Sequence, residues 1–297
     1  MFLHVYILLQ QPLATLLCYS FLYLAAICLW LPSPKSSPPL WLLLAALAAL
    51  AGLASGSLSW AGLGLACIFL GAAYRFSQAT RSAERTFVGV ALGSLSLLLG
   101  AHLLPGFHNL KALDAVLVSA DGLPFTMYLN LDKTLVALGL LGWCTPRIFT
   151  RPDWRQLLLF LRSRSLIFLP LIFILALLSG KVHWDPKLPS YTILWMLTNL
   201  LFVCTAEEAF FRGFLQRQLS LLWKDRPLQQ ALPLVLASFV YGLSHFAGGS
   251  LYVAFVTLAG LVYGWAYQKT GCIEASILLH FLVNAAHFLL FTYPSLP

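Results

Sequence analysis

The chain has 297 residues, of which 60% are hydrophobic and 9% are charged, with a formal net charge of +8. A soluble domain averages about 25% charged residues, so a chain this poor in charge cannot cover its own surface in water. Its solvent is lipid, and its length is a count of membrane spans rather than of soluble domains.

A span takes about 20 mostly apolar residues. In chain order, ten segments qualify: 5–31, 40–56, 58–74, 86–105, 133–149, 160–179, 190–213, 229–247, 251–268 and 273–293. The expected fold is all-α, a polytopic transmembrane helical bundle of about ten spans, within a range of eight to ten. No basic run or small-residue cleavage site marks the N-terminus, so 5–31 reads as a retained first span. The second and third segments are short and joined through the Gly/Ser-rich stretch from Ala54 to Ser59, a hairpin pattern. Segment 106–132, with Asp114, Asp121, Pro124 and Asp132, reads as an external loop without assignable chemistry. The six cysteines (Cys18, Cys28, Cys67, Cys144, Cys204 and Cys272) are scattered without a CxxC pair, which argues against a disulfide framework or a cysteine metal cluster.

Charge alternates from loop to loop. One set of loops holds thirteen basic residues, Lys35, Arg75, Arg81, Arg85, Arg147, Arg151, Arg155, Arg162, Arg164, Arg217, Lys224, Arg226 and Lys269. The other set holds four, Lys111, Lys133, Lys181 and Lys187. Cationic loops stay in the cytoplasm, which places both termini outside in a multi-pass protein, with the bacterial inner membrane as the expected location. These charges border spans and suit anionic headgroups. Membrane lipid, not nucleic acid, is the partner they imply.

An ionisable group inside a span costs on the order of 3 kcal/mol on insertion scales and usually signals function. Only Glu207 and Glu208 lie well inside apolar sequence, in Leu201 to Arg212. Glu208 and Arg212 are four apart in the favourable acid-then-base order, a structural ion pair. Glu207 sits about 100° round the helix with no basic residue four places away, and a carboxylate left over in this way is suited to general-base work. Two further apolar helices supply imidazoles: His245, and His280 with Asn284 four residues on, on one face that His287 extends. The spacing Gly260 to Gly264 is GxxxG and reads as close helix packing.

At these residues the chain resembles the CAAX prenyl protease 2-like intramembrane proteases, also called CPBP or bacteriocin-processing proteins. The family pattern is EExxxR, an aromatic-xxx-H run and HxxxN or HxxxD. Here it stands as Glu207-Glu208-Ala209-Phe210-Phe211-Arg212, Tyr241-Gly242-Leu243-Ser244-His245 and His280-Phe281-Leu282-Val283-Asn284. Thr270-Gly271 also looks like the family, while Tyr241 stands where phenylalanine is usual. The likeness covers about residues 190–293, giving a protease core at 190–297 and an N-terminal transmembrane region at 1–189 that matches nothing nameable. It implies an intramembrane endopeptidase acting on a membrane-anchored peptide or protein. Glu207 would activate a water with help from His245, His280 and Asn284 would stabilise the oxyanion, and Glu208 and Arg212 would hold the helix. No cofactor is expected. Zinc on Glu207, His245 and His280 is the alternative, but these lack the local HExxH spacing of zinc proteases.

Two other readings stand beside this one. A non-catalytic module, such as a bacteriocin-immunity or scaffold protein, would keep the same residues for packing. A proton-coupled transporter would use the acids and histidines as a relay, but the paired broken helices that it predicts are not evident.

Overall fold

The computed structural model describes residues 10–32 and 37–297. Residues 5–9 of the first expected span and the loop cation Lys35 lie outside the described residues. Helices α1 (Leu13–Cys28) and α2 (Leu40–Ser55) pack against each other. Next come α3 (Trp60–Gln78), begun by Ser59, whose hydroxyl accepts the Gly62 N–H at 3.2 Å, and α4 (Ser82–Gly100). Arg75 and Glu84 pair at 2.5 Å across the turn between α3 and α4.

Segment 106–132 is more than a loop. It folds into an antiparallel hairpin of β1 (Leu110–Val116) and β2 (Phe125–Leu129), with Leu110 opposite Leu129 and Val116 opposite Phe125. Helix α5 (Leu131–Gly139) follows at once and widens into a π turn at Leu140–Cys144. Helix α6 (Arg151–Phe160) runs on through a π turn at Leu161–Ser165, and α7 (Phe168–Leu178) is bent from it by 46°. The C-terminal part consists of α8 (Thr192–Leu222), α9 (Ala231–Leu243), α10 (Ser250–Thr270) and α11 (Ile273–Leu290).

The chain is therefore a mostly helical, multi-pass membrane protein. Among the described residues five helices, α3, α4, α8, α10 and α11, are long and apolar enough to cross a bilayer, or six if the bent pair α6–α7 is one span. The expected ten spans are not confirmed. Helices α1, α2 and α9 are apolar but only 16, 16 and 13 residues long, short of the roughly 20 that a span takes. Helix α5 opens on Asp132 and Lys133 and is walled in by protein along most of its length. Apolarity in α5 reflects burial by protein, whereas α2 buries only Trp41, Ala48 and Gly52. The bundle as a whole has a lipid-facing exterior and a polar interior: Phe87 and Ile167 are 77% and 74% exposed, whereas Glu208 and Arg212 are at 0%.

The GxxxG of α10 does more than permit packing. With no side chains in the way, the Gly260 and Gly264 carbonyls accept from Arg212 Nη2 at 2.9 Å and Gln216 Nε2 at 3.1 Å, successive residues on one face of α8. A Cβ on Gly264 would lie 2.5 Å from Leu234 Cδ1 and 2.6 Å from Gln216 Oε1. Gly264→Val should therefore destabilise the protein by about 1–3 kcal/mol through overpacking, measured by unfolding in detergent. Gly71→Ala, where a Cβ meets nothing within 4 Å, should be neutral or stabilising by up to about 1 kcal/mol.

Outside the spans, the C-terminal tail is tied down at the hairpin turn. His183 O accepts from Thr292 N–H at 3.0 Å, Ser295 O from Leu123 N–H at 2.9 Å, and His183 Nε2 meets Asp121 Oδ2 at 2.6 Å. That hydrogen bond raises the His183 pKa above its ordinary 6.5 and lowers the Asp121 pKa below its ordinary 3.8. The histidine contribution is complete below 6.5 and is lost as pH rises through the raised value; the aspartate contribution is complete above 3.8 and is lost as pH falls through the lowered one. Hydrogen exchange corrected for intrinsic rate should show the tail amides best protected near pH 5 and less so near pH 8. His183→Ala should flatten that dependence.

Candidate active site

Helix α8 carries both acidic residues of the motif. Glu207 lies midway along Thr192–Leu222, fifteen residues from either end. The helix runs on to Leu222, past the expected end at 213, and this is what makes Glu207 central in it. Its turn, Thr205–Glu208, is flanked by π-helical stretches at Asn199–Cys204 and Ala209–Gln216, the kind of local widening that clusters at functional sites.

Glu208 and Arg212 form the expected i,i+4 pair, 3.1 Å apart and fully buried. The carboxylate makes two more contacts. Its Oε1 accepts from His280 Nδ1 at 2.8 Å, and its Oε2 accepts from the Ser276 hydroxyl. The Arg212 guanidinium stacks on the Tyr241 ring at 4.5 Å and reaches the Gly260 carbonyl. A carboxylate paired to a guanidinium is an acceptor only, so Nδ1 of His280 carries hydrogen. Glu208 thus fixes the orientation of the imidazole as well as balancing charge.

The other imidazole nitrogen faces Glu207. His280 Nε2 lies 3.9 Å from Glu207 Oε2 and 3.3 Å from the Tyr241 hydroxyl. The first distance is too long for a direct hydrogen bond and suits one bridging water. The ring stacks on Tyr263 at 4.8 Å and is 3% exposed. Two adjacent residues of α8 therefore serve the two nitrogens of one histidine on α11.

Glu207 is not left without a cation. Lys133, in the first turn of α5, reaches its Oε1 at 2.6 Å. Asp132 beside it is 2% exposed and fixes the start of α5: His102 Nδ1 meets its Oδ2 at 2.8 Å, while Asn109 Nδ2 and the Lys133 N–H donate to its Oδ1 at 2.9 and 2.8 Å. Reading α8 alone, residue by residue, could not show this partner, which is distant in sequence.

His245 follows the end of α9, and its Nδ1 contacts the Tyr241 carbonyl at 3.0 Å and the Ser244 hydroxyl at 3.1 Å. Among the described residues no hydrogen bond joins it to Glu207. Asn284 donates from Nδ2 to Asn199 Oδ1 at 3.2 Å, adding to the set a residue that the sequence reading passed over. His287 stands apart from the cluster, its Nε2 on the Thr292 carbonyl at 3.1 Å. Among the described residues no three of His, Cys, Asp and Glu are arranged to hold a metal ion.

Residues 189–286 match the family model described as Type II CAAX prenyl endopeptidase Rce1-like. This segment is an Rce1-like domain. It carries Glu207, Glu208, Arg212, Tyr241, His245, His280 and Asn284, while Lys133, Asp132 and the hairpin lie before it. No curated protein and no solved structure matches the chain. In the Rce1-like domain, removing one member of the buried ion pair strands the other. Arg212→Met should cost about 3–5 kcal/mol, and the double variant Glu208→Gln/Arg212→Met should recover part of that loss, as read by denaturant unfolding in micelles.

Proposed function

We propose that the protein is an intramembrane endopeptidase that cleaves membrane-anchored peptides or proteins with a water activated by Glu207. The observation that carries this reading is the buried Glu207 carboxylate held 3.9 Å from His280 Nε2, itself buried. Lys133 engages Oε1 and balances the charge, which leaves Oε2 for the water. In the proposed step Glu207 takes the water proton, the hydroxide attacks the peptide carbonyl, and collapse of the tetrahedral intermediate breaks the C–N bond as Glu207 returns that proton to the leaving amine. A protonated His280 would offer Nε2–H to the developing oxyanion, with Asn284, positioned by Asn199, as a second donor. His245 has its Nδ1 engaged and its Nε2 left for the leaving amine or the water. The match to a protease family supports hydrolysis.

The mechanism proposed uses no metal. An ammonium 2.6 Å from Glu207 Oε1 opposes a cation at the same carboxylate, and His280 Nδ1 is committed to Glu208. The charge alternation of the sequence supports placing both termini outside the bacterial inner membrane.

Proteolysis of a pool of lipid-anchored peptides by purified protein in detergent tests the reading. Glu207→Gln and His280→Ala should each lower the rate by at least about 10²-fold, and Asn284→Ala by about 10²-fold. A strong chelator should leave cleavage unchanged. Full cleavage by Glu207→Gln would refute the assignment and favour a non-catalytic role for the same residues.

A further inference from the structure

A cavity of about 510 Å³ opens beside the site, within the size range of ligand pockets. One wall is the run Phe125, Thr126, Met127 and Tyr128 of β2; the other is one face of α8, with Trp195, Thr198, Asn199 and Val203. The two walls lead to the candidate active site by separate routes. Asn199 holds Asn284, and β2 passes through Asn130 directly into α5, where Lys133 holds Glu207.

No strand among the described residues pairs with the edge of β2 away from β1, and the C-terminal tail touches only its start, where the Tyr293 ring meets Phe125 at 5.0 Å. Among the described residues no backbone hydrogen bond reaches Phe125–Leu129 from outside the hairpin. A membrane-anchored substrate needs such an edge. Hydrolysis requires the chain around the scissile bond to leave any helix, which strips N–H and C=O groups of their partners where little water can replace them. A strand edge supplies those partners whatever the side chains are.

We propose that β2 is the substrate-docking strand: an extended peptide segment of the substrate adds to its outer edge within this cavity and runs on towards Asn284 and Glu207. The proposal rests on the endopeptidase reading and gives the hairpin, which precedes the Rce1-like domain, a part in it. Five residues of β2 offer about 17 Å of edge, enough to hold a short stretch of chain straight. Along β2 the exposed Thr126 and Tyr128 alternate with the buried Met127 and Leu129, and the cavity is lined by Met127 as well as by Thr126 and Tyr128.

Photo-crosslinking of the full chain in liposomes tests this. Benzoylphenylalanine replaces Thr126, or Tyr128 if the first variant folds poorly. The probes are a pool of randomised N-palmitoyl decapeptides and the same pool with every backbone amide methylated. Methylation removes the donors that strand addition uses. At about 1 kcal/mol per bond, loss of two or more should lower labelling at position 126 at least about ten-fold. The same photoreactive group at lipid-facing Phe87 should label both pools alike, which controls for membrane partition. Equal labelling of position 126 by the two pools would overturn the docking proposal even if peptides are cleaved. Selective labelling without cleavage of any peptide would leave docking standing and remove the endopeptidase reading.

Discussion

A charge inside a bilayer protein must find a partner, and the candidate site is organised by that constraint. Glu208 and Arg212 neutralise each other on one helix, but the carboxylate has oxygen lone pairs to spare. It spends them on Ser276 and His280 of α11, and the guanidinium bonds a carbonyl of α10. One ion pair therefore joins three helices. Because these groups are fully buried, the arrangement is close to all-or-none: a half-satisfied polar network in a low-dielectric interior is worse than none. That is why an imidazole can be held in one orientation with its far nitrogen towards Glu207.

The second carboxylate is held differently. Glu207 takes its partner from α5, outside the Rce1-like domain, and α5 is fixed by Asp132 together with His102 and Asn109. The N-terminal region is thus part of the site's electrostatics and not merely a neighbour. Its hairpin lies at the same end of α5, so the elements that set the charge of Glu207 also line the cavity beside it.

The candidate site in the C-terminal part was legible because polar residues deep in apolar sequence are costly and therefore stand out. Glu207, Glu208, His245, His280 and Asn284 were all visible for that reason, and helix periodicity paired Glu208 with Arg212. Lys133 was invisible as a partner: it stands at the polar start of a helix, where a lysine is unremarked, and its contact spans 74 positions in sequence. Asn199 carried a usable signal, an amide in the apolar run that leads to the motif. The hairpin did too, since Asp121-Gly122 lies between strand-like segments 110–116 and 125–129, a turn dipeptide of the hairpin type. The count of about ten spans is not confirmed, because hydropathy alone does not fix span length. Helices α1, α2 and α9 are apolar without being long enough, and no pattern in one sequence separates a helix packed within protein from one that crosses lipid.

The measurement that bears most directly on this account is the protonation of His280 in the intact protein. Solid-state ¹⁵N spectra of histidine-labelled protein in lipid, assigned with a His280→Gln variant, report each ring nitrogen separately. A protonated Nδ1 that loses its carboxylate contact in Glu208→Gln is the predicted result. A bare Nδ1, or one indifferent to Glu208, would contradict the two-carboxylate arrangement on which the site is built.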